Sequence, residues 1–140
     1  MRIFAETSAV LTWVFDQARA DEVRLALKSA DSVITSELTI LESERAFVRA
    51  EVVRWRSPED VVLLRSRLYR LMSHWHVMSL QPEALNRARQ RFPREPVRTL
   101  DALHVASALE ARAVLPALSV LSLDARVRDN AAALGFEVLP

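Results

Sequence analysis

Five short runs of apolar and β-branched residues punctuate a chain otherwise written in helix-forming residues, and this alternation limits the fold more than any other feature. The runs are Arg2–Ala5, Ser32–Thr35, His76–Leu80, Ser119–Leu123 and Phe136–Leu139. Each reads as a strand. The segments between them read as helices: Thr7 or Ser8 capping a helix to about Phe15, residues 21–30, Ser36 capping a long helix to about Trp55, Ser57-Pro58 opening one to about Ser73, Pro82 to Phe92, Thr99–Val114, and Asp124–Leu134 closed by Gly135. Pro93-Arg94-Glu95-Pro96 reads as a loop. Short strands alternating with helices predict an α/β fold whose parallel sheet is covered on both faces. In such sheets ligands bind beyond the carboxyl ends of the strands, and that is where chemistry is expected.

Length and composition narrow the field. The 140 residues fit one domain spanning 1–140, with 51% apolar and 26% charged residues, as a globular core requires. No cysteine is present, which excludes disulfides and thiolate metal sites. The one glycine, Gly135, excludes the glycine-rich phosphate loops of nucleotide-binding folds. No apolar run nears the roughly 18 residues of a membrane span, and the first residues lack a signal-peptide layout, so a cytoplasmic protein is expected. Net charge is +1, but residues 45–98 hold 12 arginines against 5 acids, between acidic flanks. Arginine suits bidentate phosphate contact, although a solvated helix face accounts for the same pattern.

Four acids stand where solvated charges are not expected. Glu6 and Asp124 directly follow strands, at the functional edge of the sheet. Asp124 also suits a helix N-cap, and Glu6 a simple strand-end charge. Glu42 lies in an apolar stripe with Leu38 and Ala46 four residues to either side, unless Arg45 or Arg49 pairs with it. Asp101 opens a helix that is apolar nearly all round, Leu100 to Leu109, where it answers the helix dipole if Thr99 is the N-cap. Carboxylates meeting in one pocket disfavour each other's ionisation, and a hard divalent cation resolves the conflict. Oxygen-only ligands favour Mg²⁺ or Mn²⁺ and metal-assisted phosphoryl hydrolysis. His104, three residues after Asp101, reads as a core or supporting residue. His74 and His76 carry no assigned chemistry. Trp13, Trp55, Trp75 and Tyr69 read as packing or interface residues.

These residues resemble the PIN-domain family, and within it the VapC-type toxins of bacterial toxin–antitoxin pairs. Ile3-Phe4-Ala5-Glu6-Thr7-Ser8-Ala9 is similar to the family's first strand and its acid. Thr35 to Ala46 resembles the second block, with its glutamate at Glu42. Arg98-Thr99-Leu100-Asp101-Ala102-Leu103-His104-Val105-Ala106 matches the third, and Val120 to Arg126 the fourth. The resemblance implies a three-layer α/β/α sandwich with a parallel sheet of about five strands. It implies an Mg²⁺- or Mn²⁺-dependent endoribonuclease with Glu6, Glu42, Asp101 and Asp124 as catalytic and metal-holding acids, and Ser8 and Ser122 as hydroxyls supporting them. It also implies an RNA substrate, a homodimer, and an antitoxin encoded by the adjacent gene. The family's first acid is usually Asp, and here it is Glu6, one methylene longer. Rival readings are a PIN-fold module that binds a partner or RNA without cleavage, and a phosphatase or DNA nuclease using the same acids.

Overall fold

The computed structural model describes residues 1–140. Its elements in chain order are β1 (Arg2–Ala5), α1 (Thr7–Val14), α2 (Ala20–Lys28), β2 (Ser32–Ser36), α3 (Glu37–Val52), α4 (Pro58–Met72), β3 (His76–Met78), α5 (Pro82–Ala88), α6 (Thr99–Val114), β4 (Leu118–Leu121), α7 (Ala125–Ala133) and β5 (Val138–Leu139). All four strand pairings are parallel, and the sheet runs β3-β2-β1-β4-β5. The predicted strands and helices all form. The main differences are at their ends: the third and fifth strands are shorter than expected, and the helix from Pro82 stops at Ala88 rather than Phe92.

Strand periodicity sorts the core onto two faces. Phe4, Ile34 and Val120 point to one side and pack with Ala102, Val105 and Ala106 of α6, Ala84 of α5, and Val127 and Ala131 of α7. Ala5 and Val33 point to the other side, against Val10, Phe47 and Leu68 of α1, α3 and α4. Ile3 and Leu121 meet Val23 of α2. The chain therefore winds outward from β1 with its helices on one face. It then returns to β4, and its helices cross to the other face, as right-handed crossovers demand when strand order reverses. The reversal falls between β1 and β4, so the crevice at their carboxyl ends is the topological switch point.

Side chains reinforce this edge. The Arg128 guanidinium donates to the carbonyls of Ser122 (2.7 Å), Leu139 (2.9 Å) and Pro140 (3.2 Å), tying β4 to the C-terminal strand. Gly135, with φ +83°, ends α7 in the left-handed conformation that a helix stop of this kind uses. Asn130 on α7 is completely buried, and its amide bonds in three directions. Its Oδ1 accepts from the Arg94 N–H (2.9 Å), and its Nδ2 donates to the carbonyls of Arg94 and Arg126 (3.0 Å each). The loop between α5 and α6 is thus clamped to α7. Removing the amide leaves backbone groups of Arg94 without partners. Asn130→Ala is expected to destabilise the protein by about 1–3 kcal/mol in urea titration; a midpoint within error of wild type would mean the clamp contributes nothing.

Candidate active site

The four acids come from four different elements and gather at the switch point. Glu6 follows β1, Glu42 lies in α3, Asp101 in the first turn of α6, and Asp124 between β4 and α7. Glu6 and Asp101 are buried, and Glu42 and Asp124 partly so.

Glu6 serves as the N-cap of α1, the role expected of Thr7 or Ser8: its Oε1 accepts from the Ser8 N–H at 3.1 Å. Its Oε2 accepts from the hydroxyls of Ser8 and of Ser122 (2.7 Å). Ser8 Oγ in turn accepts from the N–H groups of Leu123 (2.8 Å) and Asp124 (3.2 Å). Glu6 is thereby stitched to the start of the Asp124 turn through the two expected serines.

Asp124 caps a helix with one oxygen and turns the other toward Arg98. Its Oδ1 accepts from the N–H groups of Arg126 (2.9 Å) and Val127 (3.1 Å), while Oδ2 faces the Arg98 guanidinium at 3.3 Å. Arg98 also donates to Asp101, Nε to Oδ2 at 2.9 Å. One guanidinium therefore bridges two of the four acids. Its own side chain is 63% exposed, whereas that of Asp101 is 10%. Arg98, not Thr99, occupies the N-cap position of α6.

Glu42 does not pair with Arg45 or Arg49. Its Oε1 meets His104 Nε2 and accepts from Thr7 Oγ1 at 2.8 Å. His104 Nε2 also lies 3.6 Å from Glu6 Oε1. The four acids thus form two pairs, each around one basic side chain: Glu6 and Glu42 at His104, Asp101 and Asp124 at Arg98. Asp101 and His104 lie three residues apart on one face of α6, which joins the pairs. Glu42, Arg98 and Asp101 line a small shared cavity of about 270 Å³. No group of three or more His, Asp or Glu side chains is preassembled as a metal cage. The cluster thus sets one guanidinium and one imidazole among four carboxyl groups.

Burial pushes the Glu42 carboxyl upward. The hydrogen bond and charge of His104, with the Thr7 hydroxyl, outweigh burial and hold it below the usual glutamate value. Burial likewise pushes the His104 imidazole down, but its hydrogen bond to Glu42 and the charges of Glu6, Glu42 and Asp101 raise it above the ordinary value. Its Nδ1 has no partner, which works against protonation, while three carboxylates work for it.

Sequence reading singled out the acids and serines but passed over Arg98 and Thr7. Arg98 was legible as a partner three residues before Asp101, and Thr7 as the hydroxyl beside Glu6.

The description of the PIN domain matches residues 3–133. The chain belongs to the PIN-domain family. This PIN domain is 29% identical over 139 residues to Ribonuclease VapC35 of Mycobacterium tuberculosis, covering 98% of this chain and 95% of that one. Its fold is similar to that of M. tuberculosis VapC20, described as a Sarcin-Ricin loop cleaving toxin (TM-score 0.67, 19% identity, 99% of both chains). A toxin–antitoxin complex from Klebsiella pneumoniae also holds a similar chain (TM-score 0.64, 17% identity, covering 99% of this chain and 96% of that one). The expected three-layer sandwich with five parallel strands is the fold of this PIN domain.

The raised His104 gives a signed pH dependence. Its pairing stabilises the metal-free fold fully below about pH 6.5, the unperturbed value, and that contribution fades as pH rises through the raised value. The difference in thermal midpoint between wild type and His104→Gln is expected to shrink as pH is taken from 6 to 9. A difference that is flat or grows with pH would contradict the pairing.

Proposed function

We propose that this PIN domain is an endoribonuclease, the toxin of a toxin–antitoxin pair, and that it uses a divalent metal ion. The observation that carries this reading is the bridging of Asp101 and Asp124, from two separate elements, by one exposed cation at the switch point. The donor set fits a hard cation: it is oxygen-only, and Glu42 and Asp101 open onto one small cavity. Asp101 and Asp124 would hold Mg²⁺ or Mn²⁺, with Glu6 and Glu42 as further direct or water-mediated ligands. Such an ion supplies an activated water and offsets charge on the scissile phosphate.

The chain's own residues prepare the site for that chemistry. Ser8 and Ser122 hold Glu6, and Thr7 and His104 hold Glu42, so that neither acid swings away. Backbone N–H groups fix one oxygen of Asp124 and leave the other facing the Arg98 guanidinium. Arg98 stands where a phosphate would meet the acids, and its fork suits phosphate oxygens. The relative named Ribonuclease VapC35, matched along nearly the whole chain, supports RNA as substrate.

For partners, the reading includes a homodimer and an antitoxin encoded by the adjacent gene. A groove of about 610 Å³ along α3, lined by Leu41, Val48 and Val52 with Arg45 and Arg49, opens beside Glu42 and supports a protein partner next to the site. No helix is long and apolar enough to cross a membrane, in keeping with a cytoplasmic toxin.

A second reading is a PIN-fold module that binds without cutting. It draws on Arg98, which already neutralises Asp101 and Asp124. Cleavage separates the two. With Mn²⁺ present and both proteins purified identically, Asp101→Asn is expected to cleave RNA at least about 100-fold more slowly than wild type. Equal rates in a folded variant would assign the activity elsewhere.

A further inference from the structure

The arginines of the basic middle segment are not spread evenly over the surface. Five of them, Arg87, Arg89, Arg91, Arg94 and Arg98, fall within residues 87–98, the end of α5 and the loop leading into α6. This loop is built rather than loose. Arg87 lies over the buried Phe92 ring at 4.1 Å and donates to the Arg91 carbonyl at 3.4 Å. Glu95, the loop's one acid, accepts from the N–H groups of Phe92 (3.2 Å) and Val97 (3.1 Å). Asn130 clamps the Arg94 backbone from α7. Asn130 is six residues from Asp124, roughly 9 Å along the α7 axis. The loop is therefore fixed to the helix that Asp124 opens and delivers Arg98 onto Asp101 and Asp124 at its end.

What the loop presents is positive charge without a counter-charge, Arg89 meeting only the neutral Asn86 amide at 3.3 Å. Arg89, Arg91 and Arg94 are exposed, and none forms an ion pair. An isolated fold gains nothing from holding three guanidinium groups together on a rigid loop, since like charges repel. An anionic polymer that touches several at once gains counterion release from each contact. The loop also frames an open hollow of about 560 Å³, with Arg89 and Arg91 bordering a wall of Phe92, Pro96 and Val97. Charge beside an apolar wall suits an unpaired nucleotide, whose phosphate and base need different surfaces.

We propose that the α5–α6 loop is the track along which single-stranded RNA is laid toward the acids, with Arg89, Arg91 and Arg94 as positioning residues for its phosphates. The proposal rests on the ribonuclease reading and gives it a substrate path. Phosphate contacts of this kind set the register of the strand and carry no sequence information themselves.

The test is fluorescence anisotropy of a labelled single-stranded RNA oligonucleotide bound to the full chain in EDTA, across a salt series. Wild type is compared with Arg89→Gln/Arg91→Gln/Arg94→Gln. The control is Lys28→Gln/Arg54→Gln/Arg70→Gln, which removes equal charge from exposed, unpaired positions on α2, α4 and the end of α3. Each lost phosphate contact on a single strand lowers the slope of log K against log salt by about 0.7, so the loop variant is expected to lose about 2 units of slope and about 100-fold in affinity at 0.1 M salt. The control is expected to keep the wild-type slope. Arg94→Gln alone, should the triple variant misfold, is expected to lose about 0.7. A wild-type slope in the loop variant overturns the track, and so does an equal drop in the control, which would mean a diffuse field. Wild-type protein that binds no RNA overturns the ribonuclease reading together with the track. Binding by wild type with an unchanged loop-variant slope overturns the track alone.

Discussion

Four carboxylates crowded at one edge of a sheet repel each other, and much of this molecule is arranged around that repulsion. Two of them take on structural work. One oxygen of Glu6 caps α1, and one oxygen of Asp124 caps α7, so part of each charge answers the exposed N–H groups of a helix start. The remaining oxygens meet hydroxyls or cations: Ser8 and Ser122 at Glu6, Thr7 and His104 at Glu42, Arg98 at Asp101 and Asp124. The network runs through β1, β4, α1, α3, α6 and α7, so the site and the fold share the same contacts.

The doubly wound topology makes the convergence possible. Glu6 and Asp124 are 118 positions apart in sequence, yet β1 and β4 are neighbours, paired from Arg2–Leu118 to Ala5–Leu121. Glu42 and His104 meet because α3 and α6, on opposite faces, both start at the same edge of the sheet. α7 adds a second link: it begins at a site acid and, two turns on, grips the arginine loop through Asn130. A single short helix thereby fixes the acids relative to the surface proposed to carry substrate.

Much of this was legible in the residues. Asp101 betrayed itself as a charge in a helix apolar on almost every side, and Glu6 and Asp124 as acids directly after strands. For Asp124 the helix cap takes only one carboxylate oxygen, and the other meets Arg98. Glu42 was read correctly as a charge in an apolar stripe, but its partner was not. Arg45 and Arg49 are near in sequence, whereas His104 is 62 residues away and reaches Glu42 only across the sheet. Arg98 and Thr7 stand beside acids in sequence but break no local pattern, and the reach of Arg98 to Asp124 and of Thr7 to Glu42 depends on which side chains the fold sets opposite them. Strand and helix ends shifted by a few residues where pairing partners ran out, as for His76–Met78 against β2.

The central claim is that Asp101 and Asp124 form one cation site, held by Arg98 in the metal-free protein. Calorimetric titration of Mn²⁺ into wild type, Asp101→Asn and Arg98→Ala addresses it without relying on cleavage. The account predicts saturable binding in wild type, its loss or at least about tenfold weakening in Asp101→Asn, and tighter binding in Arg98→Ala, where the competing guanidinium is gone. Binding of Mn²⁺ with the same affinity in all three proteins would contradict it.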